Sequence, residues 1–470
     1  MPEAISPSHD RITHDDLLDE SLTDIGLAGL FARLHNGRLL FAGGTWLHWD
    51  GTRWQPDTTD KVLKLLSDML KQLWATATKS RHHAASASSL LSTMRVGRMK
   101  SILELATSDE RLRRHPGDFD GDPNYLNFLN GTLNLRTQQL QPHDPSHLIT
   151  KRIDSPYDPD AVAPRWQQFQ REVAGDDPDL TRHKQKVYGQ ALLGTLPEQK
   201  AFFLLGNGAN GKSVELETLK AVLGPYATTV PGEAFLKSSK GDPRNTYARL
   251  PGVRVAIGSE IDERQPLAEG AIKSLTGGEE LTARQLYKDE FTFHPMCTLF
   301  IATNHLPRVH GDDYGIRRRL VVIPYPVTFG PDVQDPDLKR ALAQEAAGIL
   351  GWLVEGIKLY QAERLDPPQA VLDATRGFWR QADSIKAWLD AATASNPQAH
   401  TTANDAFTSY TKYCLSNALQ PLTQTAFGKR MGELGFNEAT GQRRQNSHGR
   451  KVYVGIALRA QAPAATPTLN

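Results

Sequence analysis

The most constraining feature of this chain is the octet Gly206-Asn207-Gly208-Ala209-Asn210-Gly211-Lys212-Ser213, set directly behind the apolar run AFFLL. The octet fits G-x-x-x-x-G-K-[ST]. A short run that is apolar at every position predicts a strand buried on both faces. Glycines let backbone N–H groups close around phosphate oxygens, and a helix beginning there adds the positive end of its dipole. Glu215, Leu216, Leu219 and Val222 predict that helix. In such a loop Lys212 reaches the β- and γ-phosphates of ATP, and the Ser213 hydroxyl ligates Mg²⁺. The bland alternative is a chance glycine-rich turn. A strand before it and a helix after it argue against that.

A phosphate loop of this kind belongs to an α/β sheet, and three more apolar runs supply strands: VRVAIGS at 253–259, CTLFIAT at 297–303 and LVVIPY at 320–325. Helical stretches separate them, which predicts a parallel sheet. The second strand ends in Ser259-Glu260. Glu260 is the candidate that polarises an attacking water, with Asp262 or a metal-bound water helping to hold Mg²⁺; a solvated acid at a strand end is the alternative. The third ends in Asn304, placed to orient water beside the γ-phosphate unless it is an ordinary strand-end turn. Arg317, Arg318 and Arg319 precede the last strand. One of them can cross a subunit interface and neutralise charge on a neighbour's ATP; the alternative is solvated or DNA-facing arginine.

Length and charge shape the rest. A chain of 470 residues suggests about three domains. Lys and Arg total 54 against 53 Asp and Glu, a net charge of +1. Any nucleic-acid surface must therefore be local. Two segments qualify. Residues 272–288 carry Lys273, Arg284, Tyr287 and Lys288 around an expected hairpin tip, where cations meet a phosphate backbone and a ring can stack on a base. A plain surface loop is the competing reading. Residues 429–459 hold seven basic residues, among them Arg443, Arg444, Arg450 and Lys451, against Glu433 and Glu438 only. That suits a recognition helix and wing, or else a solvated basic face.

The expected organisation is a flexible 1–22, an α+β domain over 23–160, the P-loop domain over 161–394, a winged helix over 395–459 and a disordered 460–470. Hairpins are expected at Asp50-Gly51 and Asn130-Gly131. Cys297 and Cys414 are too few for a disulfide framework or a four-cysteine zinc site, and fit a reducing compartment. No apolar run is long enough to cross a membrane. Asp118, Asp120 and Asp122 alternate like a calcium loop, but Pro123 and Leu129 stand where such a loop needs Gly and Glu. His82 and His83 are adjacent and cannot share a helix face. Trp46, Trp49 and Trp54 read as hairpin packing.

As a set, the P-loop, the Ser-Glu strand end, Lys273-x-Leu-Thr-Gly-Gly, Ala283-Arg-x-Leu-Tyr-Lys-Asp, Ala302-Thr-Asn and Arg318-Arg-Leu-Val-Val-Ile-Pro resemble superfamily-three helicases. The branch is that of phage and plasmid primase C-terminal helicases, related to the poxvirus primase-helicase. WLHWDGTRW and NFLNGTLNLRTQQLQPHDP resemble the domain preceding the ATPase there, so the likeness covers roughly 25–460. It implies an AAA+ core, a homo-hexameric ring and single-stranded DNA in its channel. It assigns Gly206, Gly211, Lys212 and Ser213 to ATP and Mg²⁺, Glu260 to catalysis, Asn304 to sensing and Arg318 or Arg319 to the finger. Lys273, Arg284 and Lys288 fall in the motif that feeds the pore hairpin. Ser259 stands where many members carry a first acid, leaving the second Mg²⁺ ligand open.

The expectation is therefore an ATP-dependent, ring-forming helicase acting on single-stranded and forked DNA. It would replicate a phage, prophage or plasmid in a bacterial cytoplasm, without a primase domain of its own, beside a separate primase or host replication proteins. Two rivals are a replication initiator that uses ATP only to hold an oligomer together and a P-loop phosphotransferase acting on a small molecule.

Overall fold

The computed structural model describes residues 12, 22–79, 84–236, 243–258, 266–284, 290–305, 307, 309, 314–382, 384–417, 419, 421–437, 443–445 and 449–459. Ser259, Glu260, Asp262, Tyr287, Lys288, the His82-His83 pair, most of 1–22 and the tail from 460 lie outside them.

The N-terminal region mixes helices and small antiparallel sheets. Helix α1 (Asp24–Leu34) starts where Thr23 accepts the Gly26 amide at 3.1 Å. Strands β1 (Leu39–Ala42), β2 (Thr45–Trp49) and β3 (Trp54–Pro56) form a meander. Its second turn is a hairpin loop of four residues, 50–53, between the paired Trp49 and Trp54, wider than the two-residue turn an Asp-Gly pair suggests. Gly51 alone in it has a positive φ, 98°, and Asp50 Oδ1 accepts the Thr52 and Arg53 amides at 2.7 and 2.8 Å. Trp54 is buried and donates its indole N–H to Pro145 O at 2.9 Å, while Trp49 packs on it. Helices α2 (Lys61–Thr78), α3 (Ala84–Thr93) and α4 (Val96–Ala106) share an apolar core with α1.

A second meander follows, β4 (Tyr125–Phe128), β5 (Gly131–Asn134) and β6 (Gln139–Gln141). Phe128 pairs with Gly131, so the turn residues are Leu129 and Asn130 rather than the Asn-Gly pair. Asn130 instead clamps the backbone of Tyr157 from both sides, at 2.9 Å each. Gly131 is needed for close approach, since a Cβ there would lie 2.5 Å from Gln141 O. The acids at 118–122 make protein contacts: Asp118 accepts the His115 amide and Asp122 binds Asn124 locally, while Asp120 ties the segment to Thr150, thirty residues on.

Helices α5 (Pro164–Val173) and α6 (Pro178–Leu192) lead into the central sheet. In chain order come β7 (Ala201–Leu205), α7 (Lys212–Leu223), β8 (Ala227–Val230), α8 (Pro243–Tyr247), β9 (Val255–Gly258) and α9 (Glu269–Gly277). The hairpin β10 (Leu281–Arg284) and β11 (Glu290–Phe293) precedes β12 (Thr298–Thr303), α10 (Tyr314–Arg317) and β13 (Leu320–Pro324). The five-stranded sheet runs β13-β7-β12-β9-β8 and is parallel throughout.

Its two faces alternate as period-two burial requires. Phe202, Leu204, Ile257, Phe300 and Ile323 enter one apolar cluster, with residues of α5, α6 and α7 and of the later helix Ala346–Glu363. Ala201, Phe203, Ala256, Leu299, Ile301 and Val322 enter the other, with α9 and the β10–β11 hairpin. The outermost strand, β8, was not expected from sequence.

Helices α11 (Leu338–Gln344), α12 (Ala346–Glu363), α13 (Gln369–Ala382) and α14 (Ser384–Ala392) follow. Then come β14 (Thr393–Thr402), α15 (Ala403–Ser416), α16 (Gln424–Glu433), β15 (Arg443–Gln445) and β16 (Lys451–Leu458). Thr402 and Thr423 cap α15 and α16 by accepting the Asp405 and Ala426 amides at 3.0 and 3.3 Å. The strands pair antiparallel in the order β14-β16-β15. Ile385 and Trp388 of α14 pack into this unit with Tyr410, Phe427 and Tyr453. Among the described residues no helix is long and apolar enough to cross a membrane. Cys297 and Cys414 are buried thiols, and burial pushes the first up to about 12.

Candidate nucleotide-binding site

The P-loop leaves the carboxyl end of β7, an inner strand. Residue-for-residue pairing aligns Leu205 with Thr303 of β12 and Pro324 of β13. Strands β7, β12 and β9 thus end at one edge of the sheet, where open α/β sheets form their ligand crevice. The loop reverses through positive φ at Gly208 (96°), Ala209 (46°) and Gly211 (83°). Two of its glycines are demanded by space. A Cβ on Gly206 would lie 2.1 Å from Asn210 Nδ2 and 2.9 Å from Tyr325 O, and one on Gly211 would lie 2.6 Å from Val173 Cγ1. Helix α5 therefore backs the loop, a contact the sequence did not announce.

Lys212 is buried at the first turn of α7. Its ammonium donates to Gly206 O at 2.8 Å, Asn210 Oδ1 at 2.9 Å and Asn304 Oδ1 at 3.0 Å. The structure thus brings the P-loop lysine onto the asparagine that ends β12. The cleft they share has a volume of about 700 Å³, walled by the loop, Lys220, Gly258 and Thr303. That is ample for a nucleoside triphosphate. Ser213 is exposed on its wall. Asn210 Nδ2 is buried without an acceptor among the described residues, a donor in reserve. The residues present fit a phosphate chain with Mg²⁺: a cradle of backbone N–H groups, one buried cation and one accessible hydroxyl. Gly258 of β9 lines the cleft; Glu260, two residues on, lies outside the described residues.

Beneath the loop is an ion pair missed at the level of sequence. Glu215, one turn after Lys212, meets Lys184 of α6 at 2.9 Å, with both side chains at most 1% exposed. Tyr325 donates its hydroxyl to the same carboxylate oxygen at 2.7 Å, and Lys184 sits 4.5 Å from the Tyr325 ring centre. Burial pulls the Lys184 ammonium below its ordinary value against the pull of Glu215. Burial, then the Glu215 charge, holds the Tyr188 and Tyr325 hydroxyls well above theirs. A carboxylate and an amine thirty-one positions apart leave no periodic trace. The only signal was a charge on the apolar side of α7.

The three arginines part company. Arg317 lies 5.3 Å from the Trp379 ring centre. Arg319 donates from Nε to Thr276 Oγ1 at 3.1 Å and from Nη1 to Gly315 O at 2.7 Å. Arg318 is exposed, and its guanidinium meets no partner among the described residues. Lys273 lies on α9, and Arg284 closes the β10–β11 hairpin opposite Glu290; Tyr287 and Lys288 fall in the undescribed connection between them. Arg443 and Arg444 stand on β15, opposite Tyr453 and Val452 of β16, whose first residue is Lys451, with exposed Arg450 just before it. All four lie on one hairpin, away from the P-loop in sequence and in a separate sheet.

Comparison with known proteins finds viral relatives in sequence. Residues 28–175 match the family described as D5 N terminal like, and residues 204–319 match a family of unknown function. A "Putative helicase" of frog virus 3 (isolate Goorha) is 28% identical over 246 residues, covering 48% of this chain and 25% of that protein. A "Putative helicase" of Acanthamoeba polyphaga mimivirus is 26% identical over 322 residues, covering 63% and 33%. A "Putative primase" of African swine fever virus is 24% identical over 229 residues, covering 47% and 24%. The chain spans about a quarter to a third of the length of these relatives. Among solved structures, the apo C-terminal region of NrS-1 superposes with a TM-score of 0.50 at 9% identity, covering 92% of this chain and 99% of that one, a likeness of fold. Residues 28–175 thus match a D5 N-terminal-like model ahead of the five-stranded parallel sheet, and the sequence is similar to viral proteins named as helicases and primases.

Proposed function

We propose that the chain is an ATP-dependent DNA helicase of the superfamily-three AAA+ type, working as a ring, with a homo-hexamer as its assembly. The observation that carries this reading is the 3.0 Å contact between Lys212 Nζ and Asn304 Oδ1 across the cleft. It sets a phosphate-binding cation beside a polar strand end, so both can face a γ-phosphate and its attacking water. The similarity to viral proteins named as helicases supports the substrate class.

In this reading Lys212 exchanges its loop acceptors for β- and γ-phosphate oxygens. Asn304, released from the ammonium, orients water that Glu260 deprotonates. Ser213 would hold Mg²⁺, which would supply positive charge to offset that of the phosphate chain. Arg318 is the arginine free to meet a neighbouring subunit's nucleotide. The β10–β11 hairpin with Lys288 and Tyr287 lines the channel around single-stranded DNA, and Lys273 and Arg284 support it. The C-terminal helices and the basic β15–β16 hairpin act as a winged helix on forked DNA. A mobile element's replication, beside a separate primase, is the setting that fits.

The test is ATP turnover with and without single-stranded DNA, together with displacement of a labelled strand from a fork. DNA-stimulated turnover with displacement is expected, and Glu260→Gln should bind ATP yet not hydrolyse it. Stimulation without displacement would point to the initiator role. Turnover indifferent to DNA would point to a small-molecule phosphotransferase.

A further inference from the structure

We propose that Arg319 and Thr276 form a positioning pair that couples the β10–β11 hairpin to Arg318; the proposal rests on the helicase reading above. The Thr276 hydroxyl donates to Ile272 O at 2.7 Å, the carbonyl one turn back in α9. Its proton is therefore committed, and a lone pair is left to accept from Arg319 Nε at 3.1 Å. Arg319 is fastened a second time to Gly315 O at 2.7 Å, within the segment that presents the arginines. With Arg317 against Trp379 and Arg319 on Thr276, exposed Arg318 stands between two tethered neighbours that set its direction.

Thr276 lies in the last turn of α9, and that helix end also holds the hairpin. Gly278 caps α9 with φ 73°, and its carbonyl accepts from His294 Nδ1 at 3.2 Å, one residue beyond β11. Ile272, Leu275, Ile316 and Leu320 share one apolar cluster, so α9 and the arginine segment are packed together. A displacement of the hairpin carries the end of α9 and Arg319 with it unless the 3.2 Å bond to Gly278 or the 3.1 Å bond to Thr276 breaks. DNA held at the hairpin thereby acquires a physical route to the arginine that faces the neighbouring subunit. Arg319 acts through Arg318 and touches no nucleotide itself.

The experiment compares the full chain and its variants for ATP turnover without DNA and with saturating oligo-dT. Thr276→Val removes the acceptor at nearly constant volume. It should keep the DNA-free rate within about twofold and lose most of the DNA stimulation. Thr276→Ser, which keeps the hydroxyl, should restore stimulation, a rescue that a purely packing role would not require. Arg319→Ala should show the same loss, and the double variant should be no worse than either single one. Should Thr276→Val fail to fold, its DNA-free rate will report that, and Thr276→Ala serves in its place. Full stimulation in Thr276→Val would overturn the proposal, and Arg319→Ala abolishing DNA-free turnover would make Arg319 the finger and overturn it as well. Absent stimulation in the unmodified chain would instead overturn the helicase reading.

Discussion

Replacing Lys184 by methionine should destabilise the P-loop domain severely, although Lys184 touches no nucleotide. Its ammonium is the cationic partner of Glu215 at 2.9 Å, and neither side chain reaches solvent. Glu215 Oε1 already has no partner among the described residues, so the carboxylate relies on Lys184 and Tyr325 through its other oxygen. Removing one member of a buried pair leaves an uncompensated charge, which costs about 3–5 kcal/mol. For a unit of roughly 200 residues, about 2–4 °C is lost per kcal/mol, so melting should fall by about 6–20 °C. The double variant Lys184→Met with Glu215→Gln removes the charge and keeps an acceptor for the Tyr325 hydroxyl. It should recover at least half of that loss. Scanning fluorimetry and near-ultraviolet circular dichroism, run without nucleotide, give two probes of one transition. A single-variant loss below about 1 kcal/mol, or a double variant as unstable as the two singles added, would refute the reasoning. Because Glu215 donates its amide to Gly211 O at 2.9 Å, the surviving Lys184→Met protein should also show a raised KM for ATP.

Lys212→Ala should abolish ATP hydrolysis and weaken ATP binding at least about 100-fold, measured by turnover and by titration with a fluorescent analogue. His183 is buried, donates from Nδ1 to Leu365 O at 3.0 Å, and is held down to about 4 by burial. The unfolded chain therefore takes the proton first, so stability present above about pH 6.5 is lost as pH falls towards 4, by about 3 kcal/mol in all. His183→Asn should flatten that slope in melts recorded from pH 7.5 to 5, and an unchanged slope would remove His183 as its source. Arg450→Ala with Lys451→Ala should lower fork affinity and reduce the logarithmic salt slope by about 2, while an unchanged slope would make that hairpin a solvated face.

What the sequence made legible follows from how local each signal is. Strands β7, β9, β12 and β13 are apolar at consecutive positions because both faces of the sheet are covered, so four short runs announce themselves. Strand β8 reads Ala-Thr-Thr-Val and lies at the sheet edge, half exposed, where no apolar run is required. Strand β14 passes through Ser395-Asn396-Pro397-Gln398, which carries no apolar alternation, and its pairing with β16 shifts register between Ser395 and His400. The Lys212–Asn304 meeting was legible because each residue ends a recognisable strand-and-turn unit. The Arg319–Thr276 bond was not: forty-three residues separate its partners, and only the packing of α9 on the arginine segment brings them together. The same holds for Lys184 and Glu215, since burial of a charge is a property of the assembled core.

The sheet geometry also decides whose nucleotide an arginine can serve. Ala201 donates its amide to Arg319 O at 2.8 Å, and Leu320 pairs with Ala201, so the arginine segment ends at the amino edge of the sheet. The P-loop departs from the other edge, after Leu205. Five residues of strand at about 3.3 Å each put roughly 16 Å between them, more than an arginine side chain of about 7 Å can cross. Arg318 therefore has no route to the Lys212 cleft of its own chain, and any nucleotide it serves must belong to another copy. Arg318→Ala should then lose turnover in pure form, as should Lys212→Ala, yet a mixture of the two should regain part of it. Interfaces that pair an intact cleft with an intact Arg318 form only in the mixture. Turnover in the mixture equal to the sum of the separate proteins, or full turnover by a monomer at every concentration, would defeat the placement of Arg318 across a subunit boundary.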